Sequence, residues 1–82
     1  MGQNMETNFE RPLDLLNEAR GKRVLVETKA KKQIMGILKA FDIHINIVLA
    51  DAEERDEQGQ VARKIGNVFI RGDMIVLVAP SP

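Results

Sequence analysis

The sequence predicts a mostly β fold: a short N-terminal helix followed by a five-stranded, strongly bent antiparallel small barrel. Three observations carry this reading. Apolar residues recur at helical spacing only once, between Arg11 and Gly21. After Gly21 the chain alternates apolar and polar residues, or runs apolar briefly, in segments bounded by turn residues. Five such segments in a chain of 82 residues make one domain, whose interior only a curled sheet can enclose.

The helix comes first. Pro12 suits the first helical position, where its missing N–H costs nothing. Leu13, Leu16 and Asn17 share a face at helical spacing. Asp14 favours the first turn, Arg20 the last, and Gly21 is a natural stop. A helix of about two turns needs packing to persist. Residues 1–9 have no apolar period and read as a mobile tail, leaving 10–82 as the domain.

The strands follow in order. Lys22–Thr28 alternates through Val24 and Val26, and Lys29-Ala30-Lys31-Lys32 reads as a charged, solvated turn, with an RNA contact on the outer face as the alternative. Gln33–Phe41 is the second strand. Its Gly36 marks a sharp bend or a close backbone approach, the device by which a small sheet curls. Ile45–Glu53 is a third strand, rich in β-branched residues, and Glu54–Gln60 a polar loop. Val61–Ile70 and Met74–Ala79 are the fourth and fifth. Only Arg71-Gly72-Asp73 separates them, which reads as a tight hairpin.

Composition excludes several classes of protein. There is no Cys, so no disulfide, and one His without thiols offers no metal site or cofactor ligand set. The longest apolar run, Met74–Ala79, is far short of the roughly 20 residues a membrane helix needs. Met1–Glu10 lacks the apolar core of a secretory signal. A soluble, cytoplasmic protein with no membrane partner is expected. A domain this small buries only about 60% of its unfolded surface, and oligomerisation is the staple left to it. The uncharged fifth strand would template aggregation if left open. Pairing with a different edge of a neighbouring copy covers it, and such a heterologous contact closes into a ring when the rotation allows.

Net charge is zero, which argues against a protein that tracks nucleic-acid backbone over its whole surface. Charge is nonetheless uneven. Residues 22–39 carry six Lys or Arg and one Glu, and residues 40–60 carry six Asp or Glu and one Arg. Two polar clusters stand out: Asp42-Ile43-His44-Ile45-Asn46 between strands two and three, and Ile70-Arg71-Gly72-Asp73 between strands four and five. In a five-stranded barrel these turns can share one end, gathering an imidazole, a guanidinium, an amide and carboxylates.

Taken singly, each has an ordinary explanation. A lone His beside a turn is usually a surface residue, Arg-Gly-Asp is usually turn chemistry, and Asp42 can simply cap its own turn. Their joint pattern is less ordinary. The stretch Gly36-x-Leu38 … Asp42-x-His44-x-Asn46-x-x-Leu49 resembles the first Sm motif, and Ile65-Gly66-Asn67 … Ile70-Arg71-Gly72-Asp73-Met74-Ile75 resembles the second. With the preceding helix, the resemblance to archaeal Sm-like (LSm) proteins covers Arg11 to Ala79. It implies the Sm fold, an SH3-like barrel. It also implies a homomeric ring, of seven subunits in most archaeal members, and a uridine pocket at the inner rim. The bacterial branch forms six-membered rings with a Lys-His type of second motif. Arg71-Gly72 places this chain outside that branch.

The residues support a uridine-rich single-stranded RNA partner on their own chemistry. His and Arg both stack on exposed bases, so His44 and Arg71 can sandwich one. Asn46 offers an acceptor beside a donor, the complement of uracil N3–H and O4, while cytosine presents the opposite pair. A free amide can flip to suit either base, so a carboxylate must lock it. Asp73 is the candidate, although it can instead hold Arg71, and Gly72 lets the backbone approach. The RNA-binding set is therefore His44, Asn46, Arg71, Gly72, Asp73 and Asp42. The alternative, from another class, is a structural adaptor that docks protein tails without RNA specificity. An enzyme is not expected, because one His near acids supplies no nucleophile–base set.

Overall fold

The computed structural model describes residues 11–81. The tail expected over residues 1–9 lies outside them. Helix α1 spans Pro12–Ala19, with Pro12 in its first turn. The Arg11 N–H donates to the Asp14 carboxylate at 3.0 Å, and the Asp14 N–H donates back to the Arg11 carbonyl. Gly21 ends the segment at φ +83, a conformation that costs glycine little. The buried face is Leu16 and Ala19, with Leu13 packed at its margin. Asn17, expected on that face, is exposed and accepts from the Arg20 guanidinium at 3.2 Å. Its amide has a charged partner in solvent that the apolar seam would deny it.

Five strands follow: β1 Arg23–Thr28, β2 Gln33–Phe41, β3 Ile47–Arg55, β4 Val61–Ile70 and β5 Ile75–Pro80. Their spatial order is β4-β3-β2-β1-β5, antiparallel throughout. The core is the inward set Val24, Val26, Ile34, Leu38, Ile47, Leu49, Ala52 and Ile70, with Leu16 and Ala19 of α1 packed against it. In β1 and the first part of β2, inward positions alternate with outward ones. Hence Leu38, Ile47, Leu49, Val24 and Val26 lose all contact with water.

The sheet curls because three neighbouring strands bend at one level. A Cβ on Gly36 would lie 3.0 Å from the Ala50 carbonyl oxygen and 3.1 Å from the Ala52 Cα. The β2–β3 register shifts at that point. Asp51 in β3 takes φ +51 and Gly66 in β4 takes φ +91, and the β3–β4 register shifts between them. The bend expected at Gly36 thus runs across the sheet as a crease, each extra residue adding local twist.

Strand β1 starts one residue later than expected, at Arg23, β5 is displaced by one, to Ile75–Pro80, and both ends of β3 differ by two. Strand β3 starts at Ile47 instead of Ile45 because Ile45 adopts φ +63 inside a closed loop. It continues through Arg55, across charged residues that were expected to begin a loop. Glu53 meets Arg23 and Arg55 at 3.8 and 3.3 Å, and Glu54 meets Lys32 and Arg63 at 3.2 and 3.1 Å. Alternation sends the two carboxylates to opposite faces, where Glu53 finds Arg23 of β1 and Arg55 of its own strand, and Glu54 finds Lys32 of the β1–β2 turn and Arg63 of β4. Residues 56–60 form the remaining loop, where the Asp56 carboxylate accepts the N–H groups of Gln58 and Gln60, each at 2.9 Å.

The link between β4 and β5 is also not a hairpin. Those strands do not pair. They are the two opposite edges of the sheet, and β5 pairs with β1. Gly72–Met74 forms a single 3-10 turn that carries the chain across the barrel mouth. A tight connection makes a hairpin only if it reverses the chain beside itself. Here the extended Arg71 and Ile75 on either side of the turn direct the two strands apart. Both edges keep exposed apolar side chains, Phe69 on β4 and Val76 and Leu77 on β5.

Candidate functional site

The loop joining β2 to β3 is built around one carboxylate. Asp42 Oδ1 accepts the N–H of His44 at 2.8 Å and of Asn46 at 3.1 Å, while its Oδ2 accepts the Asn46 amide Nδ2 at 3.1 Å. Backbone bonds from Asp42 N–H to the Asn46 carbonyl and from Ile45 N–H to the Asp42 carbonyl close the same loop. This satisfies the loop's polar groups and holds Ile45, a β-branched residue, in the left-handed region. Such strain persists only where the surroundings over-determine it. The Asn46 side-chain hydrogen bond lowers the Asp42 pKa, aided by the backbone N–H groups of His44 and Asn46, against an opposing contribution from desolvation.

The second loop docks on the first. Gly72 N–H donates to Asn46 Oδ1 at 2.8 Å. The two backbones approach so closely that a Cβ on Gly72 would collide with the His44 carbonyl oxygen. Arg71 and Asp73 form their own pair at 2.7 Å, both exposed. His44, Asn46, Arg71, Gly72 and Asp73 together line one open pocket at the barrel mouth.

The expected residues are therefore brought together, with Asp73 in the alternative role named for it, holding Arg71. The lock on Asn46 is Asp42, not Asp73. Asp73 is engaged by Arg71, two residues away in the same turn, and Asp42 sits beneath the amide it orients. The lock is double-ended. Flipping the amide would set its NH₂ against the Gly72 N–H and its oxygen against the Asp42 carboxylate, so one orientation survives. An Asp placed two and four residues before the N–H groups it caps is a recognisable turn signature. That signal was available in the sequence. The partner of Asn46 across 26 positions, Gly72, was not.

One neighbouring feature escaped the sequence reading altogether. Phe41, Ile43 and Ile45 border a cleft against α1, where the Arg20 guanidinium lies 5.1 Å from the Phe41 ring centroid. Ile43 is 75% exposed at the loop tip. Among the described residues there is no group of three or more His, Cys, Asp or Glu placed to hold a metal, and no helix long and apolar enough to cross a membrane.

Comparison with known proteins places these features in a family. The LSM domain model matches residues 14–80. A relative from Archaeoglobus fulgidus, described as an snRNP Sm-like protein, is 49% identical over 72 residues, covering 88% of this chain and 92% of that protein. An Sm protein of Pyrococcus abyssi, solved in complex with a uridine heptamer, matches with a TM-score of 0.82 at 42% identity, over 88% of this chain and 100% of that one. A heptameric Sm protein of P. aerophilum matches at 0.81 and 38% identity, over 90% and 97% of the two chains. The family match over residues 14–80 and the relatives at this identity and coverage decide it: the chain belongs to the LSM domain family.

Proposed function

We propose that the protein is a ring-forming Sm-like module that binds short uridine-rich single-stranded RNA at the inner rim of the ring, in RNA processing, turnover or ribonucleoprotein assembly in the cytoplasm. The ring is a homoheptamer in which β4 of one subunit pairs with β5 of the next. The heptameric relative and the two free apolar edges support the assembly. The uridine-bound relative supports the ligand. In this reading His44 and Arg71 stack on the base, Asn46 reads its edge, and Asp42, Asp73 and Gly72 hold those three in place. The role is binding and not catalysis.

The observation that carries the proposal is the double lock on Asn46. Gly72 and Asp42 each occupy one site of the amide, leaving an acceptor on Oδ1 and a donor on Nδ2 in fixed order. Uracil complements that order with N3–H and O4, and cytosine opposes it at both positions. Leaving such groups unpaired costs about 1–3 kcal/mol, so preference on the order of tenfold or more is expected per base. Titration of the ring with oligouridine and oligocytidine at physiological salt tests it. Equal binding of the two would remove the pocket assignment and give the adaptor reading the lead.

A further inference from the structure

Among the described residues lining the pocket, Arg71 is the one Lys or Arg, and its guanidinium is bound to Asp73 at 2.7 Å. Beneath the pocket, Asp42 is stabilised as a carboxylate by three N–H donors. One arginine therefore faces two carboxylates. A strand of RNA brings one negative charge per nucleotide to that place, so the loops that read the base do not compensate the backbone. The compensating cations must come from another element.

The β1–β2 turn is positioned to supply them. Lys29 N–H donates to the Met74 carbonyl at 2.8 Å, stitching the turn to the residue directly after Asp73. Lys29 and Lys31 are exposed, and among the described residues neither enters an ion pair. Lys32 differs, because Glu54 holds it at 3.2 Å. Lys31 stands at φ +63, a left-handed position where glycine would carry no strain, yet the turn keeps a long cation there. Both ammonium groups ride on flexible four-carbon stems, suited to follow a phosphate backbone that is not rigidly held.

We propose that Lys29 and Lys31 of each subunit form a phosphate track leading away from the base pocket, so that charge compensation and base selection reside in separate elements. Lys29 is stitched beside that pocket, and Lys31 lies farther along the same turn, on the cleft it shares with residues 54–58. The inference rests on the uridine reading above and deepens it. It separates two properties that one shared site would couple. The track sets affinity and salt dependence, while Asn46 and its lock set uridine over cytidine.

The test uses the full chain, with the ring state of each variant checked by native mass. Oligouridine long enough to span the ring is titrated between about 50 and 200 mM salt. In Lys29→Gln/Lys31→Gln, the slope of log affinity against log salt should shrink by about 0.7 for each phosphate contact removed. Affinity at the low-salt end should fall about tenfold or more, with the uridine-to-cytidine ratio unchanged. Lys31→Gly removes one cation while relieving the turn, and should give a partial slope loss without loss of folding. Lys64→Gln, a lysine on β4 paired in register with Glu53, should leave the slope intact. Oligouridine with uncharged methylphosphonate linkages should bind the double variant and the unmodified ring equally. An unchanged slope in the double variant, with uridine preference retained, would overturn the track. So would an equal slope loss in Lys64→Gln. If the unmodified ring binds no oligouridine at all, the failure lies in the pocket reading instead.

Discussion

Asp42 organises its loop with one side chain, and its removal should show what that is worth. Asp42→Asn turns an obligate acceptor into a group that can donate to Asn46, so the amide loses its reason to keep one orientation. Uridine preference over cytidine should flatten, whereas Asp73→Asn, acting on Arg71 alone, should weaken both bases and keep the preference. Competition binding with the two oligomers separates the outcomes, and a flattened preference in Asp73→Asn would return the lock to that residue. The pH dependence has a definite sign. Asp42's pKa is lowered below 3.8, chiefly by the Asn46 side chain. Its ordering of the loop is thus fully present above 3.8 and is lost as pH falls through the lowered folded value. The uridine-to-cytidine ratio of the unmodified ring should therefore not decline through Asp42 at any pH above 3.8. At this scale the sequence named the pocket residues His44, Asn46, Arg71 and Gly72 from their chemistry. It could not apportion two aspartates between two partners, because that depends on which of two loops lies underneath.

At the scale of elements, the crease through Gly36, Asp51 and Gly66 decides whether the sheet closes. Gly36→Val would press two branches into the Ala50 carbonyl and the Ala52 Cα, which belong to backbone and cannot swing aside. A loss of about 1–3 kcal/mol is expected, or roughly 4–8 °C in melting midpoint per kcal/mol for a domain of this size. Gly66→Ala should cost about 1–2 kcal/mol through its left-handed φ, with no clash to blame, since nothing lies within 4 Å of the added Cβ. Calorimetry of both variants checks the pair, and a Gly66→Ala protein as stable as the parent would mean that β4 relaxes without its kink. Gly36 was legible because a glycine breaks a strong β pattern. Asp51 was not, since nothing local distinguishes an aspartate that will turn left-handed inside a strand. The charged residues Glu54 and Arg55 misled for a related reason. Only the fold reveals that Lys32, in the turn just before β2, and Arg63 of β4 both meet Glu54. The same pairing sets a pH response. Lys32, and then Arg63, draw the Glu54 pKa below 4.5, so its stabilising share is present above 4.5 and lost as pH falls. Acid titration of the melting midpoint should be shallower in Glu54→Gln than in the parent.

For the whole molecule, the decisive fact is that β4 and β5 are adjacent in sequence and opposite in space. Arg71, Gly72 and Asp73 therefore both line the open pocket and tether two edges on opposite sides of the sheet. Each edge is uncovered and carries exposed apolar side chains, Phe69 on β4 and Val76 and Leu77 on β5, the condition under which a strand recruits another chain. Val76 is the position at which to break that contact. The β1–β5 ladder shifts between Glu27 and Thr28, leaving Val76 without a Cα partner inside its own chain. Val76→Pro therefore disturbs the internal sheet least while placing a ring that cannot donate on the outer edge. Native mass should drop from that of a ring to the 9.2 kDa of one chain, with strand content by circular dichroism retained. RNA binding should change in a particular way. Weak pockets arrayed on one ring act together on one strand, so affinity in the parent should climb steeply with oligouridine length until the ring is spanned. The separated subunit keeps its pocket residues but has no neighbour to share the strand, so its affinity should be low and nearly flat with length. If the unmodified protein runs as a single chain at micromolar concentration, or if length dependence survives in Val76→Pro monomers, the edges serve some contact other than ring closure.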